Sequence, residues 1–173
     1  LILLTLINIS TLHASEGDYW SQEVNVFNFS CTDGDVDCWT DQRNSLETLP
    51  LEMYRPLKPS QVKYKHHICV SFPHLKDSYW VGVAYGIIGE GRRLGQKITL
   101  FEDGGYKNLD TQLNQVDDCL TNGGDALIIG PISSNGNAKQ IGMIRDKGIP
   151  VVVLVTGINT PIDANSLQNF IDM

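Results

Sequence analysis

Residues 97–130 read KITLFEDGGYKNLDTQLNQVDDCLTNGGDALIIG and carry the clearest secondary-structure pattern of the chain. It begins with a short apolar run rich in strand formers, Lys97 to Glu102, and ends with a second one, Ala126 to Gly130. Between them, Asn108 to Thr121 carries apolar residues three to four positions apart, which is the spacing of one helix face. Those residues are Leu109, Leu113, Val116 and Leu120. The pattern predicts a β-α-β unit.

The same alternation continues on both sides of this unit. Upstream, a strand is predicted at His67 to Phe72 and a helix over residues 78–94. Downstream, a helix over residues 136–147 precedes a fourth strand, Val151 to Val155. Apolar strands without polar alternation are buried on both faces, so the order predicts an α/β fold with a parallel, doubly wound sheet of four strands. Ligands bind such sheets at the carboxyl ends of the strands.

The chain before this region divides into two predicted segments. Leu1 to Leu12 reads LILLTLINISTL and is followed by small residues, which is typical of a secretory signal and its cleavage site. Residues 1–14 are therefore predicted to be a signal peptide that lacks its own start. Residues 15–64 show no sustained period and several Asp, Asn, Ser and Pro residues, which indicates an irregular N-terminal arm. The folded lobe is then residues 65–173.

Composition and motifs exclude several classes of function. A net charge of −7 argues against nucleic-acid binding, which needs a basic face. Nothing after residue 12 approaches the ~20 apolar residues that span a bilayer, so the chain is not expected to be membrane-embedded. Residues 89–95, GEGRRLG, resemble a dinucleotide fingerprint but fall near a helix end, which is the wrong context. No motif for a catalytic nucleophile, a metal or a phosphate occurs, so neither enzyme activity nor a cofactor is expected.

The chain has four cysteines: Cys31, Cys38, Cys69 and Cys119. In an exported chain an even number favours disulfides, and four cysteines allow three pairings. None of the spacings is CxxC, and only His66 and His67 lie near any of them. A zinc site is therefore not expected.

Two loops at the carboxyl ends of neighbouring strands deliver aromatic side chains. After the first strand, Asp77 or Ser78 can cap the next helix, which Tyr79 and Trp80 then open. After the second strand, paired glycines precede Tyr106 and allow a close backbone approach. A lone tryptophan is more often a core residue. Two aromatics on adjacent loops nevertheless indicate a ligand crevice.

The segment from His67 to Val155 resembles type I periplasmic binding proteins. GGDALIIGP (residues 123–131) and KGIPVVVLV (residues 147–155) are typical of the third and fourth strands of their first lobe. Within the family, LKDSYW (residues 75–80) and GGY (residues 104–106), with the two later cysteines, are similar to the periplasmic sensors of trimethylamine N-oxide.

The resemblance implies the N-terminal lobe of a two-lobed periplasmic protein, incomplete at its C-terminus, with the ligand held between the lobes. It implies trimethylamine N-oxide as ligand and the periplasmic domain of a membrane sensor histidine kinase as partner. Trp80 and Tyr106 match two members of the family's aromatic box, and we predict that they are ligand residues rather than core. The other candidate ligand residues are Tyr79 and Asp77.

The resemblance also bears on the cysteine pairing. In such a lobe the strand order is 2-1-3, so the helix from Asn108 to Thr121 crosses over the first strand. Cys119 on that helix can then reach Cys69, which leaves Cys31 to pair with Cys38.

Two other functions fit parts of the sequence. A sugar-binding protein of a transporter would share the fold, but sugars demand several Asp, Asn and Arg groups. Only Asp77 and Asp103 are well placed, and no arginine lies in a βα loop. A flavodoxin-like enzyme or receiver domain would need a phosphate-binding first loop or an acidic cluster, and FPHLKD (residues 72–77) offers neither.

Overall fold

A computed structural model of the chain describes residues 22–25, 51–158 and 166–167. The predicted signal peptide, residues 1–14, lies outside these ranges, and so do Cys31 and Cys38. The export signal and the Cys31–Cys38 disulfide therefore stay predictions.

Strands and helices alternate through the described lobe. The strands are β1 (Gln22–Asn25), β2 (Leu51–Tyr54), β3 (His67–Phe72), β4 (Lys97–Glu102), β5 (Ala126–Ile129), β6 (Val151–Val153) and β7 (Ser166–Leu167). The helices are α1 (Ser78–Arg93), α2 (Leu109–Thr121) and α3 (Ala138–Asp146). From β3 to β6 each element was predicted from the sequence, with bounds within two residues of those observed. The α/β alternation is confirmed.

The main sheet is parallel, with the order β4-β3-β5-β6-β7. Its first three strands have the predicted 2-1-3 arrangement. The expectation of only four strands is wrong, because β7 adds a fifth beside β6. That strand is two residues long, which is too short to produce a detectable period.

The arm predicted to be irregular contains a second, small sheet. β1 pairs with β2 antiparallel, from Gln22 opposite Tyr54 to Asn25 opposite Leu51. A single 3-10 turn, Pro59–Gln61, follows before β3 begins. Strands of four residues separated by a long connection leave no sustained pattern in the sequence, so this pairing could not be read from it.

Two apolar clusters cover the two faces of the main sheet. Successive residues of a strand point to opposite faces, so Cys69 and Val70 of β3 belong to different clusters. On the first face, strand residues pack against α2 and α3, through Val116 and Ile141 among others. On the second face, they pack against α1, through Trp80 and Ala84.

A disulfide joins Cys69 of β3 to Cys119 of α2, with 6.1 Å between the Cα atoms and a sequence separation of 50. The predicted pairing is confirmed, and so is the crossover of α2 above β3 that it requires. Gly124 lies directly against this bridge, because a Cβ there would collide with Cys69 Sγ. In the part of the chain that the structure describes, no helix combines the length and the apolarity that a bilayer crossing requires.

Candidate ligand-binding site

The first loop at the carboxyl edge of the sheet is fixed by a helix cap. Asp77 has an extended backbone, and its Oδ1 accepts a hydrogen bond of 2.9 Å from Trp80 N. Asp77 is thus the N-cap of α1, one of the two residues considered from the sequence. Its Oδ2 lies 3.6 Å from His74 Nδ1, which itself accepts a hydrogen bond of 3.3 Å from Lys76 N.

The second loop reaches back to the first. Gly104 and Gly105 have φ values of +84° and +127°, which favour glycine. Lys76 Nζ of the first loop donates to Gly104 O at 3.4 Å. The turn delivers Tyr106, whose residue surface is 54% exposed.

Aromatic side chains from both loops form one group at this edge. Trp80 Nε1 donates to Tyr106 Oη at 3.3 Å. Tyr79 packs edge-on against Trp80, with ring centroids 5.2 Å apart, and His74 packs edge-on against Tyr106 at the same separation. Burial, followed by the neighbouring Tyr106 and Asp77, raises the pKa of Tyr79, so its hydroxyl keeps its proton.

The fold thus brings all four predicted ligand residues to one edge, and it adds His74, which sequence reasoning passed over. The signal for His74 was available, because it lies in the same five-residue loop as Asp77. A histidine in a polar loop is nevertheless common, and its contact with Tyr106 depends on tertiary structure.

Trp80 is also a core residue, so the expectation that it is not is wrong. Only 3% of it is exposed, and its ring packs on Phe72 with centroids 4.7 Å apart. A Cβ at Gly130 would collide with the far edge of the indole. The indole therefore fills the space between β3, β5 and α1, while its N–H is directed to Tyr106. The ligand role of Trp80 stays a prediction.

The same edge of the sheet also holds a buried carboxyl group. Asp103 follows β4 directly and is 2% exposed. It accepts hydrogen bonds from Ser71 Oγ at 3.1 Å and from Gln112 Nε2 at 2.8 Å. Burial raises the pKa of Asp103 to about 6, the two hydrogen bonds oppose this shift, and the nearby Glu102 charge adds to it.

A second group of side chains, with atoms that could bind a metal, lies at the opposite end of the sheet. His67, Cys69 and Cys119 place potential metal-ligand atoms within 4.8 Å of one another. Metals bind cysteine as the free thiolate, and here the two sulfurs are joined to each other. His67 Nε2 instead lies 2.7 Å from Thr99 Oγ1. This group is thus part of the structural support of the lobe.

Comparison with known proteins identifies the family to which the chain belongs. The family model for the periplasmic binding protein domain matches residues 68–173, and the chain belongs to this family. The parallel sheet and its covering helices are the type I form of that fold.

Individual relatives agree with this assignment. The chain is 34% identical to the periplasmic protein TorT of Escherichia coli K12 over 105 residues, which are 60% of this chain and 29% of TorT. It is similar to an ABC transporter solute-binding protein from Bradyrhizobium sp. BTAi1 solved with bound Bis-Tris, with 47% identity, a TM-score of 0.61 and coverage of 66% and 34% of the two chains.

A third similarity is to the complex of the TorS sensor domain with TorT in the absence of ligand. The identity is 32%, the TM-score is 0.50, and the coverage is 54% of this chain and 32% of that one. The chain thus spans about a third of the length of these relatives.

Proposed function

We propose that this chain supplies the first lobe of a periplasmic protein that binds trimethylamine N-oxide between two lobes. The protein would present its ligand state to the periplasmic domain of a membrane sensor histidine kinase. The similarity to TorT in complex with the TorS sensor domain supports the sensor partner, and the resemblance of residues 75–80 and 104–106 to the sensors of trimethylamine N-oxide supports the ligand. So does an aromatic group at the carboxyl edge of the sheet.

The contact between Trp80 and Tyr106 carries the proposal. Trimethylamine N-oxide has a methylated cationic nitrogen and an oxide without a hydrogen-bond donor. Aromatic rings attract methylated ammonium groups by ~0.5–2 kcal/mol each. Because Tyr106 Oη accepts from Trp80 Nε1, its own proton is free to point elsewhere and can donate to an oxide. Tyr106 can thus offer both a ring face and a donor.

A second candidate is a solute-binding protein of a transporter, favoured by the 47% identity to the Bradyrhizobium protein. Bis-Tris, bound there, is a tertiary amine that carries hydroxyl groups. A sugar ligand is supported less well by the geometry. Asp103 is buried and already bonded to Ser71 and Gln112, so of these two acidic side chains only Asp77, which caps α1 through Oδ1 and is half exposed, can offer an oxygen to sugar hydroxyls.

Calorimetric titration of the full-length protein with trimethylamine N-oxide, Bis-Tris and xylose distinguishes the two candidate functions. We expect the N-oxide to bind, and Tyr106→Ala to weaken it by about tenfold or more through loss of the ring and the donor. Tyr106→Phe keeps the ring and should lose less. The matched control is Tyr85→Ala, a tyrosine that is 82% exposed and lies more than one helical turn beyond Trp80 on α1. Binding of xylose but not of the N-oxide would favour the transporter function instead.

A further inference from the structure

One side chain connects the three loops of the candidate site. Gln112 lies on α2 and is completely buried. Its Nε2 donates to Asp103 Oδ2 at 2.8 Å, and it lies 3.1 Å from both Ser71 Oγ and Gly130 O. Its Oε1 accepts from Ile132 N and from Asn137 Nδ2, both at 2.9 Å. Both atoms of the amide are therefore fully used.

The partners of Gln112 come from the carboxyl ends of three adjacent strands. Ser71 belongs to the end of β3, Asp103 follows β4, and Gly130 follows β5. Asn137 extends the connection to the start of α3, and its Oδ1 accepts from Ser133 N at 3.0 Å. One amide therefore bridges the ends of β4, β3 and β5, which backbone hydrogen bonds from Asp103 N to Phe72 O and from Gly130 N to Ser71 O also join, at the edge where ligands bind this class of sheet.

Two of these partners also support the aromatic group directly. Asp103 begins the turn that carries Tyr106, and Asn108 Nδ2 donates to Asp103 O at 3.0 Å across the base of that turn. Gly130 lies against the indole of Trp80. The Gln112 amide is therefore bonded both to Asp103, which begins the turn that carries Tyr106, and to Gly130, which the indole of Trp80 contacts.

We propose that Gln112 is a positioning residue of the ligand site: it sets the arrangement of the three loops without contacting the ligand. The inference rests on the proposed function, because it assumes that this edge binds a small molecule. Since burial of polar groups is costly unless all are paired, removing the amide leaves several partners unpaired and frees the loops to move.

The test is Gln112→Met in the full-length protein, with Gln140→Met as matched control. Gln140 is also a buried glutamine, but its Nε2 donates to Leu113 O and Asp117 Oδ1 between α2 and α3, away from the loops. Both variants are studied at a temperature where unfolding measurements show them to be folded. One readout is amide hydrogen exchange at Ile132, and the other is affinity for trimethylamine N-oxide.

We expect Gln112→Met to accelerate exchange at Ile132 by about tenfold or more and to weaken binding by a similar factor, while Gln140→Met leaves both within about twofold. If Gln112→Met does not fold, Ser71→Ala removes one hydroxyl of the network and should show the same changes at about threefold. Equal changes in the Gln112 and Gln140 variants, or unchanged exchange at Ile132, would overturn the proposal.

The two readouts separate this inference from the proposed function. Failure of the unmodified protein to bind the N-oxide would contradict the proposed function alone. The exchange measurement needs no ligand, so slow exchange at Ile132 in Gln112→Met would refute the positioning role even if the N-oxide binds.

Discussion

The two ends of the parallel sheet are built from similar residue types but in different ways. At the carboxyl end, the polar groups of Asp103 and Gln112 are buried and bonded to each other and to neighbouring protein groups. At the amino end, His66 and Asp125 form a pair whose side chains are both about half exposed, at 49% and 51%. The Cys69–Cys119 disulfide, near the same end, supplies a covalent link instead.

This difference indicates at which end of the sheet the loop geometry must be held constant. Exposed hydrogen bonds and ion pairs contribute little to stability, because water competes for both partners. A buried network holds its members in one geometry, because any rearrangement leaves a group unpaired. The fold thus fixes loop geometry at the end where a ligand would bind, and it secures the other end by a crosslink.

The largest effect is expected for Trp80→Ala at the carboxyl end. Because the indole is 3% exposed and packs on Phe72, its removal leaves a large cavity and should lower the free energy of unfolding by ~3–5 kcal/mol. Urea unfolding provides the measurement. Tyr85→Ala, on the same helix but exposed, should change it by less than about 0.5 kcal/mol. Similar losses in both variants would show that Trp80 is not part of the core.

The burial of Trp80 illustrates what the sequence could and could not predict. Strand and helix order followed from periodicity, because apolar runs and helix faces are local patterns. The edge that carries Tyr106 followed from the rule that parallel strands end at one side. Whether Trp80 points inward depends on the space left by Gly130, which is 50 residues away in sequence. Gln112 was hidden for the same reason, since nothing in its helix indicates partners on three strands.

The second largest effect on stability is expected for removal of the disulfide. Replacing Cys69 and Cys119 together with alanine opens a link across a sequence separation of 50 residues, and we expect a loss of about 4 kcal/mol on the chain-entropy account. Thermal unfolding measures this loss. Affinity for trimethylamine N-oxide at a temperature where the variant is folded should stay within about twofold, because the bridge lies away from the ligand edge. A large loss of affinity would show that the two ends are coupled.

Asp103 should make stability depend on pH. Its pKa is about 6 in the folded lobe against an ordinary value of 3.8, so the folded state binds the proton more tightly. Stability is therefore greater below pH 4 on this account and decreases as the pH rises through 6, by up to about 3 kcal/mol. Unfolding free energies from pH 4 to pH 7 should show this decrease, and Asp103→Asn should remove that part of the slope. An unchanged slope in the variant would assign it to other groups.

The smallest effect is expected for Asp125→Ala at the amino end. Asp125 Oδ1 accepts from His67 N at 2.9 Å, and its Oδ2 lies 3.2 Å from His66 Nδ1. Both contacts are exposed, so water can replace the carboxylate and the loss should be at most about 1 kcal/mol. Asp125→Asn keeps an acceptor for His67 N and should lie closer to the unmodified protein. Because the site is at the other end, neither variant should change affinity for the N-oxide. A loss from Asp125→Ala as large as that from Trp80→Ala would mean that the amino end is held by polar contacts as tightly as the carboxyl end.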